Sequence, residues 1–310
     1  MVISKGGLLF LSVFSAVLLG HSTLAWSASV RESVESCFGK QFPEAQRMRA
    51  CDLLILNAPS LNTKKMAMVY VTRAGIHLNA GRFKAGEVDL NEALTLNPED
   101  KVALRNRAIL FQKLKRYDDS IRDFSRLIEI NPDIVDGYKN RARVFLLKGD
   151  MQAALKDYNS TLKIAPNDPE LWSNRAKFFV ILGDMKRAAD DFKRAVELDP
   201  DNAEILLDFA MNLLLLPANL GRDVEMATKL VKSALKSKET SRGYHILAMS
   251  HGDAKRYEEA IRNQENAISL AQSEGQSEGE LKSLQLRLKT YRVQLMLEKH
   301  KARRKKLELD

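Results

Sequence analysis

"EALTLNP" spans residues 92–98, and its ending returns as "LIEINP" at 127–132, "TLKIAP" at 161–166 and "AVELDP" at 195–200. The closing prolines, Pro98, Pro132, Pro166 and Pro200, stand 34 residues apart each time. Proline disfavours the helical region at the residue before it and donates no backbone hydrogen bond, so each one stops an amphipathic run. A stop at a fixed period implies one structural unit made several times over.

The units are counted from residues 67, 101, 135 and 169. Their eighth residue is always Ala, as Ala74, Ala108, Ala142 and Ala176, and their fourth is Tyr70, Leu104, Tyr138 or Trp172. A turn written "AGR", "LKR", "KGD" or "LGD" precedes Phe83, Tyr117, Met151 or Met185, and a second apolar run carries Leu90, Phe124, Tyr158 and Phe192. Each unit therefore reads as helix, short turn and second helix. The small residue lets the two helices approach closely, and the large ones fill the space between them.

This pattern resembles the tetratricopeptide repeat, a 34-residue helix-turn-helix with small and aromatic residues at these offsets. The resemblance implies an all-α fold, a right-handed α-solenoid whose first helices line a concave surface. Gly86 and Ser120 depart from the Ala found at the second helix's small position as Ala154 and Ala188. Four regular units are expected over 67–202 and two degenerate ones over 203–274, with an insertion at 217–223. An N-terminal partial unit or cap fills 30–66, where "PEAQRMRACDLLIL" (43–56) resembles a lone second helix. A capping helix and basic tail occupy 275–310, with Leu281, Leu284, Leu288, Tyr291 and Leu295 along one stripe. A solenoid needs such a terminal element to hide its last apolar face. A dimer seam is the weaker reading of this stripe, because it covers barely two heptads.

The wider composition agrees. Of 310 residues 45% are hydrophobic, with only 8 prolines, a balance that favours a helical globular chain over a disordered one. The net charge of +9 gathers partly in "EKHKARRKK" at 298–306, so no nucleic-acid-binding field over the whole protein is implied.

Lys5 followed by the apolar stretch "GLLFLSVFSAVLLG" (7–20) and small residues reads as a signal peptide over 1–25, cleaved after Ala25 or just beyond, after Ser27. The short lysine-led start points to a bacterium and hence to the periplasm. The alternative is an uncleaved anchor in the inner membrane. In an oxidising compartment the two cysteines, Cys37 and Cys51, form a candidate disulfide. With no His nearby they cannot complete a zinc site.

Nothing points to catalysis. The five histidines stand singly, no nucleophile-elbow, phosphate-loop, zincin or dinucleotide motif occurs, and no metal or cofactor is expected. The remaining signal is polar and periodic. Arg107, Arg141 and Arg175 recur at the seventh place, after Arg73, and Asp89, Asp123, Asp157 and Asp191 at the twenty-third. Partly buried charges need compensation, so these two series are expected to pair between helices. Before the arginines stand Asn106, Asn140 and Asn174, with Thr72 and Asp208 at the ends of the series. An amide both donates and accepts, so such a series suits gripping a peptide backbone. Some tetratricopeptide superhelices are known to use an asparagine ladder, and the neighbouring Arg105, Lys139, Arg143 and Lys177 would favour an acidic segment.

The expected function is a non-catalytic protein-interaction scaffold of the bacterial envelope, holding a peptide or partner protein and no nucleic acid. Membrane or polyanion binding through the basic tail is the alternative. The sequence leaves the oligomeric state open.

Overall fold

The computed structural model describes residues 29–58 and 61–307. The signal expected over 1–25 falls outside them. The chain divides into two compact bodies at Ala154/Leu155. The first holds α1 (29–38), α2 (Glu44–Asn57), α3 (Thr63–Asn79), α4 (Phe83–Leu96), α5 (Lys101–Lys113), α6 (Tyr117–Ile130) and α7 (Val135–Lys148). The boundary falls within α8 (Met151–Ile164). The second body continues with α9 (Pro169–Ile181), α10 (Met185–Leu198), α11 (Ala203–Leu215), α12 (Val224–Ser237), α13 (Ser241–Asp253), α14 (Tyr257–Ser273) and α15 (Glu278–Leu307). No strand occurs among the described residues, and no helix there is long and apolar enough to cross a membrane. The fold class is an all-α solenoid of helix pairs.

Local chemistry places the helix ends. α4, α6, α8 and α10 each finish two residues before a proline of the 34-residue series. Two residues after the proline an acceptor side chain opens the next helix. Asp100 Oδ1 accepts from the amides of Val102 (3.0 Å) and Ala103 (2.9 Å), and Asp168 and Asn202 cap α9 and α11 in the same way. Ile134 holds this place before α7, which has no side-chain cap. The fifteenth residue of each unit turns left-handed, as Gly81, Gly149 and Gly183. Lys115 adopts the same conformation at φ 60°, which costs a non-glycine residue about 1 kcal/mol.

Packing explains the two departures at the small position. A Cβ on Gly86 would lie 2.7 Å from Leu78 Cδ2, so any side chain there would force that leucine to move. Ser120 is wholly buried, and its hydroxyl donates to the Ala108 carbonyl at 2.7 Å. In the first body Ala74 and Ala108 lie fully buried among Leu90, Leu104 and Phe124. In the second, Tyr158 meets Phe178 at 5.4 Å and Phe192 stacks on Phe209 at 6.1 Å.

Two terminal arrangements complete the bodies. At the N-terminal end the sulfurs of Cys37 on α1 and Cys51 on α2 are joined, with Cα atoms 5.0 Å apart, and both residues are fully buried beside Leu54 and Val69. At the other end α15 lies along α14, with Leu284, Leu288 and Tyr291 buried. Gly252 makes room for the tyrosine ring, since a Cβ there would come within 2.6 Å of it.

Candidate functional site

The recurrent arginines occupy the inside of each unit. Arg73 holds Asp89 with two nitrogens (2.9 and 2.6 Å), Arg107 holds Asp123 (both 2.8 Å) and Arg175 holds Asp191 (2.7 and 2.8 Å). The carboxylates are nearly buried, whereas about a fifth of each arginine side chain meets solvent. Asp157 is buried as well. The third nitrogen reaches back to the second helix of the preceding unit. Arg107 Nη1 donates to Asn91 (2.9 Å), Arg141 Nη1 to Ser125 (2.8 Å) and Arg175 Nη1 to Asn159 (2.7 Å). Arg73 Nη1 finds Asp52 on α2 at 2.7 Å.

One guanidinium therefore ties three helices. Asn91, Ser125 and Asn159 are themselves 34 residues apart, a periodic signal that the sequence reasoning passed over. It also passed over the aromatic residue at the eleventh place, where Phe111, Phe145 and Phe179 lie within cation–π reach of these arginines. In the first unit this place belongs to His77, which accepts at Nδ1 from Arg82 Nε (2.9 Å). Burial depresses its pKa.

The asparagines differ from one another. Asn106 and Asn174 are half-buried and make no hydrogen bond through their amides among the described residues. Asn140 is engaged locally, its Nδ2 donating to the Asp136 carbonyl at 2.8 Å and its Oδ1 accepting from Arg143 at 3.3 Å. The cations differ too. Arg105 is exposed with no acidic partner among the described residues. Arg143 also donates to Gln112 on α5 at 3.1 Å, and Lys139 pairs with Asp136 at 3.0 Å. Around Asn106 on α5, Val102 is 49% and Ile109 40% exposed, so apolar surface adjoins the open amide and the open guanidinium.

The corresponding face of the second body is closed by charge. Lys177 on α9 pairs at 2.7 Å with Asp208 on α11, which also receives Arg242 from α13, and Arg242 holds Glu204 at 2.6 Å. Asp208, at the asparagine place of its unit, thus links three first helices. Among the described residues no group of His, Cys, Asp and Glu could hold a metal ion.

Sequence profiles described as tetratricopeptide repeats match residues 71–133, 105–169, 141–207 and 241–274, more than half of the chain. The chain belongs to the tetratricopeptide repeat family. Such proteins are generally non-catalytic scaffolds, and the fold presents a surface for a protein or peptide partner. Among solved structures, a tetratricopeptide repeat protein from Parabacteroides merdae is 16% identical and covers 85% of this chain and 99% of its own, with a TM-score of 0.63. Yeast Tom70 is 16% identical over 91% of this chain and 62% of its own (TM-score 0.61). PilF of Pseudomonas aeruginosa is 12% identical over 74% and 98% (TM-score 0.56). At these identities the likeness is one of fold. No curated protein sequence matches the chain.

Proposed function

We propose that this tetratricopeptide repeat protein is a non-catalytic scaffold of the bacterial envelope. It holds an extended, acidic peptide segment on the first-helix face around α5. The observation that carries this reading is Asn106, a half-buried amide with no internal hydrogen bond, flanked by exposed Arg105, Val102 and Ile109. A peptide backbone satisfies both ends of that amide, and a carboxylate satisfies the arginine. Lys139 and Lys177 contribute less than their sequence positions promise, because each already has an acidic neighbour.

Export is supported by the lysine-led apolar start of the sequence and by the joined cysteines, which suit an oxidising compartment. The test begins with a pull-down from envelope extract and continues as calorimetric titration of the captured partner. Replacing Arg105 and Asn106 together by Ala should weaken binding by about tenfold or more, since a hydrogen bond to a charged group contributes about 1.5–3 kcal/mol. Adding Asn140→Ala should deepen the loss only modestly, because that amide is already engaged. Undiminished affinity with an intact helical signal moves the binding surface elsewhere.

A further inference from the structure

Between Leu281 and Leu307 the chain carries ten lysines and arginines against one acid, Glu298. That balance of +9 equals the formal charge of all 310 residues, so the remainder of the protein is neutral in sum. Over its full length α15 adds Glu278 and Glu280 to Glu298 and carries a net +7, so most of the molecule's net charge rides on one helix.

This helix has two apolar faces. The inner one, through Leu284, Leu288 and Tyr291, is buried. On the opposite side Leu286 is 66%, Val293 49% and Leu297 43% exposed. Spacings of seven and four residues keep these three on one stripe, about 16 Å long at 1.5 Å per residue. By helical rotation Arg287 flanks one side of the stripe, and Lys289 and Arg303 flank the other. None of these cations has an acidic partner among the described residues. Beside the stripe a groove of about 350 Å³ has Ile261, Leu295 and Met296 as its apolar floor and Arg292, Lys299 and Arg303 on its rim. Glu265 and Glu258 of α14 partly neutralise Arg292 and Lys299, at 2.8 and 3.1 Å.

We propose that the outward face of α15 docks on the surface of an anionic phospholipid bilayer. The stripe sinks into the boundary between headgroups and acyl chains, and the flanking cations reach the lipid phosphates. Charge complementarity selects this occupant. A second copy of the same helix would bring +7 against +7. A nucleic-acid backbone would satisfy the cations but leave the leucines and valine in water. A planar anionic surface with an apolar interior satisfies both, and cations on either side of the stripe suit a plane. This binding is independent of the peptide face on α5 and is peripheral, reversible and sensitive to salt.

Co-sedimentation of the full chain with vesicles tests it. Vesicles of phosphatidylcholine containing phosphatidylglycerol should bind at least about tenfold more tightly than phosphatidylcholine alone, and high salt should remove most of that gain. The paired change Val293→Glu and Leu297→Glu should abolish binding without altering the thermal melt, because both side chains are exposed. Arg303→Gln with Arg304→Gln should weaken binding by about tenfold. Equal affinity for neutral and anionic vesicles, no binding to either, or undiminished binding by the Val293/Leu297 variant overturns the proposal. So does displacement from vesicles by inorganic phosphate, which would identify a free-anion site. Tighter binding of a soluble acidic helical peptide than of the vesicles would mark the face as a protein interface instead.

Discussion

Arg175 on α9 donates from Nη1 to the side-chain oxygen of Asn159 on α8 at 2.7 Å, while its other two donors hold Asp191 on α10. The same guanidinium thus closes its own helix pair and fastens that pair to the helix before it. Where the arginine is missing, so is its acceptor. Phe209 takes the arginine place in the next unit, and Lys193, which cannot accept, takes the acceptor place on α10.

Asn159→Ala should therefore cost about 0.5–1.5 kcal/mol in urea unfolding, the net worth of one hydrogen bond, with water partly replacing the lost acceptor at a guanidinium that is 20% exposed. Asn159→Asp, which copies the Asp52 acceptor used by Arg73, should leave stability equal or higher. A double-mutant cycle between Asn159 and Arg175 should show a coupling of at least about 0.5 kcal/mol. Strict additivity would mean the contact contributes nothing.

Arg175→Leu should cost more. It strands Asp191, whose side chain is only 7% exposed, and the loss should approach about 2–4 kcal/mol. That lies below the full penalty of a deeply buried pair because the arginine edge remains wet. Adding Asp191→Leu should recover more than half of the loss. Circular-dichroism melts of the single and double variants decide it, and a double variant no better than the single one refutes the compensation argument.

The repeat frame was legible because each of its signals is local. A proline stop, a small residue at a close approach and a turn residue each act within a few positions and then recur every 34 residues. Pairing of Arg107 with Asp123 was equally open, since both residues keep step with the frame. Asn91, Ser125 and Asn159 keep step too, but a single amide or hydroxyl has no evident duty until the following helix is placed beside it. Asp208 keeps the frame at the asparagine place of its unit, but its partners Lys177 and Arg242 lie on the neighbouring first helices, which the Arg/Asp series does not pair. The charge of α15 was visible in the sequence, but the two apolar faces that give it meaning separate only once one of them is seen buried.

The joined Cys37 and Cys51 clamp α1 to α2 within a fully buried cluster. Exported protein, alkylated without reduction, should show one peptide pair linked through these residues by mass spectrometry. Reduction should lower stability by roughly 3 kcal/mol, the chain-entropy value for a loop of this size. Two alkylated thiols in freshly isolated protein would remove both the clamp and one support for export.

Docking of α15 should weaken in acid. Gln264 is fully buried and its Nε2 donates to the Leu284 carbonyl on α15 at 3.1 Å. Its Oε1 therefore faces His245 Nδ1 at 2.9 Å, which fixes the imidazole proton on Nδ1. Burial lowers the His245 pKa, and the positive charge of Arg287 lowers it further, while the bond to Gln264 opposes them. The unfolded chain titrates this histidine near its ordinary value of about 6.5 and so binds more protons than the folded one just below that pH. Stability should accordingly be full above about pH 6.5 and fall as the pH drops toward the depressed folded value. His77 and His251 are depressed by burial as well and add their own slope, so the measurement must be differential. Urea unfolding from pH 5 to 8 should show a shallower acid slope for His245→Gln than for the parent, with amide exchange in α15 accelerating first in the parent. Gln264→Leu should speed that exchange at every pH, because it removes the bond to Leu284 regardless of protonation. An acid slope that His245→Gln leaves unchanged would assign the effect to His77 and His251 and detach it from α15.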